Sequence, residues 1–113
     1  MRHVVDALQR MQAQDPARDL SQFIKIENAE DVKGVAPIVS FAVQSDPIGE
    51  VGVNGVQAVD ILDFSKCLLQ SLNDKFPCRE NALAITKIEE ALHWQEARTR
   101  DRIRRSVEGA NKA

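Results

Sequence analysis

The sequence predicts an α+β fold: a small N-terminal antiparallel β-sheet packed against a C-terminal antiparallel pair of long helices. Three observations predict it. Residues 37–44 (Pro-Ile-Val-Ser-Phe-Ala-Val-Gln) alternate, with Val39, Phe41 and Val43 on one side, as a half-buried strand does. Residues 76–102 carry no Gly or Pro after Pro77 and are rich in Ala, Leu, Glu, Lys and Arg. They set Ala84, Ile85, Ile88, Ala91, Leu92 and Gln95 on one helical stripe. Residues 56–74 place Ala58, Ile61, Leu62, Leu69 and Leu72, with Phe76 beyond, at helical spacing. The break at 74–77 is short, which makes the two helices an antiparallel hairpin.

Taken in order, residues 2–14 read as a short helix with Val4, Leu8 and Met11 on one side, ended by Asp15-Pro16. Residues 22–27 alternate as a strand with Ile24 and Ile26 on one face. Residues 45–49 (Ser-Asp-Pro-Ile-Gly) have turn chemistry, and residues 50–53 read as a short return strand. Asn54 is placed to cap the next helix, with Gln57 three residues on imitating a capping box. Pro77 and Glu80 suit the first turn of the last helix. The whole is one domain over 1–113: helix and first strand (1–34), β-hairpin (35–55), helical hairpin (56–105) and flexible tail (106–113).

Composition narrows the function. The 15 Lys+Arg against 17 Asp+Glu give a formal charge of −2, which disfavours a protein that coats nucleic acid. The balance is local, however: residues 98–105 hold five arginines and one acid, Asp101. Cys67 and Cys78 match no metal spacing and point to a reduced compartment. Residues 1–14 lack a signal-peptide pattern, and no window is apolar enough to span a membrane. There is no tyrosine, no nucleotide-binding glycine loop, no nucleophile–base pair and no His/Cys ligand set. The expectation is therefore no catalytic residue, no metal, no cofactor and no enzymatic activity.

Binding residues are easier to name. Arg98 and Arg102 are four apart and project from one side of a helix, about 6 Å apart along its axis. Two guanidinium forks at that spacing suit a diphosphate or two phosphodiesters; a solvated basic helix end complementing the dipole is the alternative. Phe76 and Asn81 frame the helix start, where an aromatic face and an amide can stack on and bond to a nucleobase. Asn81 and Arg102 are 21 residues apart, roughly 30 Å on a straight helix. No compact ligand touches both within one chain. An antiparallel copy from a second subunit brings one chain's Asn81 to the other's arginines, so a shared site implies a twofold dimer. Leu83, Glu90, Trp94 and Ala97 lie away from the main stripe and offer a second face for that contact.

The string Phe76-Pro77-Cys78-Arg79-Glu80-Asn81-Ala82-Leu83-Ala84-Ile85-Thr86-Lys87-Ile88-Glu89-Glu90-Ala91, followed by Trp94 and by Arg98-Thr99-Arg100-Asp101-Arg102, resembles the phage Thoeris anti-defence sponge family, type one. The upstream run Glu50-Val51-Gly52-Val53-Asn54-Gly55-Val56-Gln57 is similar to it as well, so the likeness covers about residues 39–109. Related anti-CBASS sponges share the helical hairpin. The resemblance implies a phage protein in the cytoplasm of the infected bacterial host. Such a protein binds cyclic ADP-ribose isomers, above all glyco-cyclic ADP-ribose, without cleaving them; some members also hold cyclic oligonucleotides. It implies homo-oligomers, dimers and hexamers, with no membrane or nucleic-acid partner. Carried over residue by residue, Phe76 stacks on the base, Asn81 bonds to the ligand, Arg98 and Arg102 hold phosphates, and Arg79 is a further ligand-binding residue. A protein-binding helical-hairpin adaptor and an enzyme degrading the same signal are the competing readings.

Overall fold

The computed structural model describes residues 3–30 and 32–108. Its elements in chain order are α1 (His3–Gln14), β1 (Ile24–Glu27), β2 (Ile38–Phe41), α2 (Ile48–Val51), α3 (Ala58–Lys75) and α4 (Arg79–Glu108). The fold is α+β. β1 and β2 pair antiparallel, with Ile24 opposite Phe41 and Ile26 opposite Val39. Alternation turns Ile24, Val39 and Phe41 to the interior, where Phe41 meets Phe64 of α3 edge-to-face at 5.5 Å.

The core lies between α1, the sheet and α3. Ala7 and Met11 of α1, Leu20, Ile24, Val56, Phe64 and Cys67 form its buried cluster, and no α4 residue belongs to it. Polar side chains also cross from α1 and the segment after it to α3. Asp6 accepts from the Ser71 hydroxyl, Arg10 pairs with Asp74, Gln14 donates to Cys67 Sγ, and Arg18 grips Asp60. Asp6, Arg10 and Gln14 are spaced by four on α1, so one side of that helix supplies them, and Arg18 follows from the turn beyond it. α4 packs mainly on α3, through a thinner seam. Its stripe of Ala84, Ile85, Ile88, Ala91, Leu92 and Gln95 is half-buried, and no residue of 79–105 is fully buried.

Four sequence expectations need correction. The return strand at 50–53 is absent: Ile48–Val51 is a single helical turn closed by Gly52 at φ 75°. The hairpin within 35–55 therefore does not form, and β2 pairs back to β1 instead. Val43 leaves the face it should share with Val39 and Phe41. It makes an isolated parallel bridge to Val56 and is exposed. Asn54 does not cap α3: its amide clasps Ser45 N–H and Ser45 C=O across the loop. The cap is Gln57, in a reciprocal capping box with Asp60. Next to Asn54, Gly55 lies so close to the chain leaving β2 that a Cβ would sit 2.5 Å from the Val43 carbonyl carbon, so only glycine fits. Finally, the expected tail begins as helix, since α4 runs to Glu108; residues 109–113 lie outside the described residues.

Candidate functional site

α4 has 30 residues and α3 has 18. Antiparallel to α3 from a tight turn, α4 must overshoot it by about 12 residues, or ~18 Å. Beyond that point the face of α4 that packs on α3 has no helix beneath it. The end of α1 and the loop 15–23 stand opposite. The space between is an open groove of about 840 Å³, walled by Arg98 and Arg102 of α4, by Asp60 and Lys66 of α3 and its cap Gln57, and by Gln14 and Arg18 of the first segment. That volume falls in the range of small-molecule sites.

The arginine cluster divides in two. Arg100 is 3.9 Å from Glu96, while Arg104 and Arg105 share Asp101 at 2.6 and 3.2 Å. Arg98 and Arg102 make no ion pair among the described residues, and both are exposed on the groove wall. Their guanidinium donors are therefore available to an anion. Of the other charges lining the groove, Asp15 and Glu89 make no ion pair among the described residues, and the rest are matched. Asp60 receives both terminal nitrogens of Arg18 at 2.7 and 2.9 Å, and Asp63 lies 3.2 Å from Lys66. At the start of α3, Gln57 and Asp60 cap each other's backbone N–H groups.

Phe76, Arg79 and Asn81 sit at the opposite end of α4. Phe76 closes α3, donating its N–H to Leu72 C=O, and its ring is 64% exposed. The turn that follows is fixed by Asn73 Oδ1, which accepts from Cys78 N–H, and by Cys78 Sγ, which accepts from Asn81 N–H. Arg79 opens the helix and is exposed; Asn81 is half-buried. Within one chain the structure keeps these three residues away from the groove and brings only Arg98 and Arg102 together.

Residues that sequence reasoning missed line the groove too. Arg18, Asp60 and Lys66 carry no motif; the available signal was the run of polar positions on the inward stripe of α3, where Asp60, Lys66 and Ser71 are buried. Trp94 is 74% exposed and Leu83 is half-exposed, and neither lines the groove. Among the described residues no group of His, Cys, Asp or Glu could hold a metal ion, and no helix is long and apolar enough to cross a membrane.

Comparison with known proteins places this geometry in a context. Residues 38–100, 63 of the chain's 113, match the family model for the Acb2/Tad1 hairpin domain. The chain is also 45% identical over 83 residues to Thoeris anti-defense 1 of Bacillus phage SBSphiJ7. That alignment takes in 73% of this chain and 57% of the relative, so the chain spans little more than half of that protein's length. No solved structure matches.

Proposed function

The chain belongs to the Acb2/Tad1 hairpin family, and from that premise we propose that it is a phage anti-defence protein acting against Thoeris immunity by sequestering, not cleaving, a cyclic ADP-ribose isomer such as glyco-cyclic ADP-ribose. Cyclic oligonucleotides, and with them CBASS immunity, are a second ligand class under the same proposal. It works in the cytoplasm of the infected host and needs no cofactor or metal. The observation that carries the reading is the pair Arg98 and Arg102, without ion pairs among the described residues on the wall of a groove while the arginines around them are matched. Two forks one helical turn apart suit the two phosphates of such a ligand.

Phe76, Arg79 and Asn81 join the site when two copies pack antiparallel along α4. The exposed Trp94 and Leu83 supply apolar surface for that seam. The assembly is a homo-oligomer, a dimer or a hexamer built from dimers. Sequestration demands tight binding: nanomolar affinity corresponds to about 12 kcal/mol, and pre-formed helical walls limit the ordering cost.

The test is to load the protein with glyco-cyclic ADP-ribose, heat the complex and separate the released nucleotide by chromatography. Intact ligand recovered in stoichiometric amount supports sequestration. A linear or otherwise altered product would make the protein an enzyme, and no retained nucleotide would leave the adaptor reading.

A further inference from the structure

Arg18 lies outside the matched hairpin segment, yet it lines the same groove as Arg98 and Arg102. Its partner Asp60 is 3% exposed and sits in the groove wall. Both Asp60 oxygens are taken by Arg18, and one of them also accepts from Gln57 N–H. A buried carboxylate is tolerated when it is paired and hydrogen-bonded. In this groove it has a second consequence: an unpaired Asp60 would oppose the entry of any anion aimed at the α4 arginines.

The neighbouring acid, Asp63, is already matched by Lys66 at 3.2 Å. Arg18 is thus the residue that cancels the most buried carboxylate of the groove wall. With it, Asp60 is neutralised, and the only acids of the lining that Arg98 and Arg102 face without an ion pair among the described residues are the exposed Asp15 and Glu89. Without it, the same wall carries a bare negative charge. The pair also pins residues 15–23 to the start of α3, which holds the wall opposite α4 in place.

We infer that Arg18 is a positioning residue of the anion site: it acts through Asp60, cancelling its charge, so that a phosphate-bearing ligand can bind between that wall and α4. This rests on the reading that Arg98 and Arg102 hold the phosphates of a cyclic nucleotide. It adds that the segment preceding the family hairpin belongs to the binding machinery.

The experiment is calorimetric titration of the full chain with the tightest binder from a panel of cyclic ADP-ribose isomers, at low salt, on Arg18→Gln, Asp60→Asn and the double variant. One unit charge placed in or removed from the groove changes affinity by about five- to tenfold. Arg18→Gln weakens binding by that factor, Asp60→Asn tightens it, and the double variant recovers most of the loss. All three differences shrink as salt rises. Wild-type affinity in Arg18→Gln, or weakened binding in Asp60→Asn, overturns the inference. A double variant as weak as Arg18→Gln also overturns it, because Arg18 then touches the ligand itself. Should Arg18→Gln fail to fold, Asp60→Asn and the double variant decide the question, since both lack the buried charge. Unchanged binding in Arg98→Ala and Arg102→Ala, with the Arg18 series behaving as stated, removes the parent reading of the α4 arginines alone. A wild-type chain that binds no member of the panel removes both.

Discussion

Of the two helices that flank α3, α1 is fastened by buried side chains and by the polar links from Asp6, Arg10 and Gln14, whereas α4 has no fully buried residue between 79 and 105. The difference separates two kinds of stability. The α1–sheet–α3 unit rests on area removed from water and on satisfied buried polar groups. α4 depends more on its own sequence: helix-favouring residues throughout, a half-buried apolar stripe, and one-turn ion pairs such as Lys87–Glu90 and Arg104–Asp101. Each such exposed pair contributes little, about 0.3–0.5 kcal/mol. A helix held this way keeps most of its surface open. The family's segment thus supplies the exposed helix, while the first third of the chain completes the core.

The largest expected effect breaks the strong side of this comparison. Phe64→Ala removes the ring that meets Phe41 in the buried cluster, and urea denaturation should show a loss of about 3–5 kcal/mol. Leu92→Ala, on the half-buried stripe of α4, should cost less, about 1–2 kcal/mol by the lost transfer of a partly exposed side chain. Equal losses at the two positions would erase the distinction between the two seams.

A smaller effect follows pH. Ser71 and then Arg10 hydrogen-bond to Asp6 and hold its pKa below the ordinary 3.8. A carboxylate depressed by folding adds stability above its unfolded value and loses it as pH falls through the lower folded value. The α1–α3 link should therefore weaken as pH falls from about 3.8 downward. Acid titration of the melting temperature should show a shallower decline in Asp6→Asn than in the wild type, and parallel curves would assign the decline to other groups. Smallest of all, Trp94→Ala should leave the stability of the isolated chain within about 0.5 kcal/mol, because the ring is 74% exposed. The same variant should lower the apparent mass in light scattering, and an unchanged mass would remove Trp94 from the subunit seam.

The sequence made some of this legible and hid the rest for physical reasons. The periodicity of residues 56–74 and 76–102 located α3 and α4, because an amphipathic helix writes its packing into its spacing. The alternation at 37–44 located β2, and Ile24 and Ile26 located β1. Ile48-Gly49-Glu50-Val51 was too short to separate a helical turn from a strand, so the loop's own hydrogen bonds decided. Asn54 suits a cap and a loop clasp equally well, and contact with Ser45 selected the clasp. At the groove, the spacing of Arg98 and Arg102 was visible because both lie on one helix. Arg18 was not, since its partner Asp60 is 42 residues away. Lys66 was hidden differently: its partner Asp63 is a near neighbour, but nothing in the spacing marks the lysine as buried.

The central claim is that Arg98 and Arg102 are kept unpaired to receive a ligand and do not support the fold. Melting curves of wild type, Arg98→Ala and Arg102→Ala, each recorded with and without a saturating cyclic ADP-ribose isomer, test it most directly. The account predicts equal melting temperatures without ligand, and a ligand-induced rise of several degrees in the wild type that is lost in both variants. Variants that melt well below the wild type in the absence of ligand, or that keep the full ligand-induced rise, would contradict it.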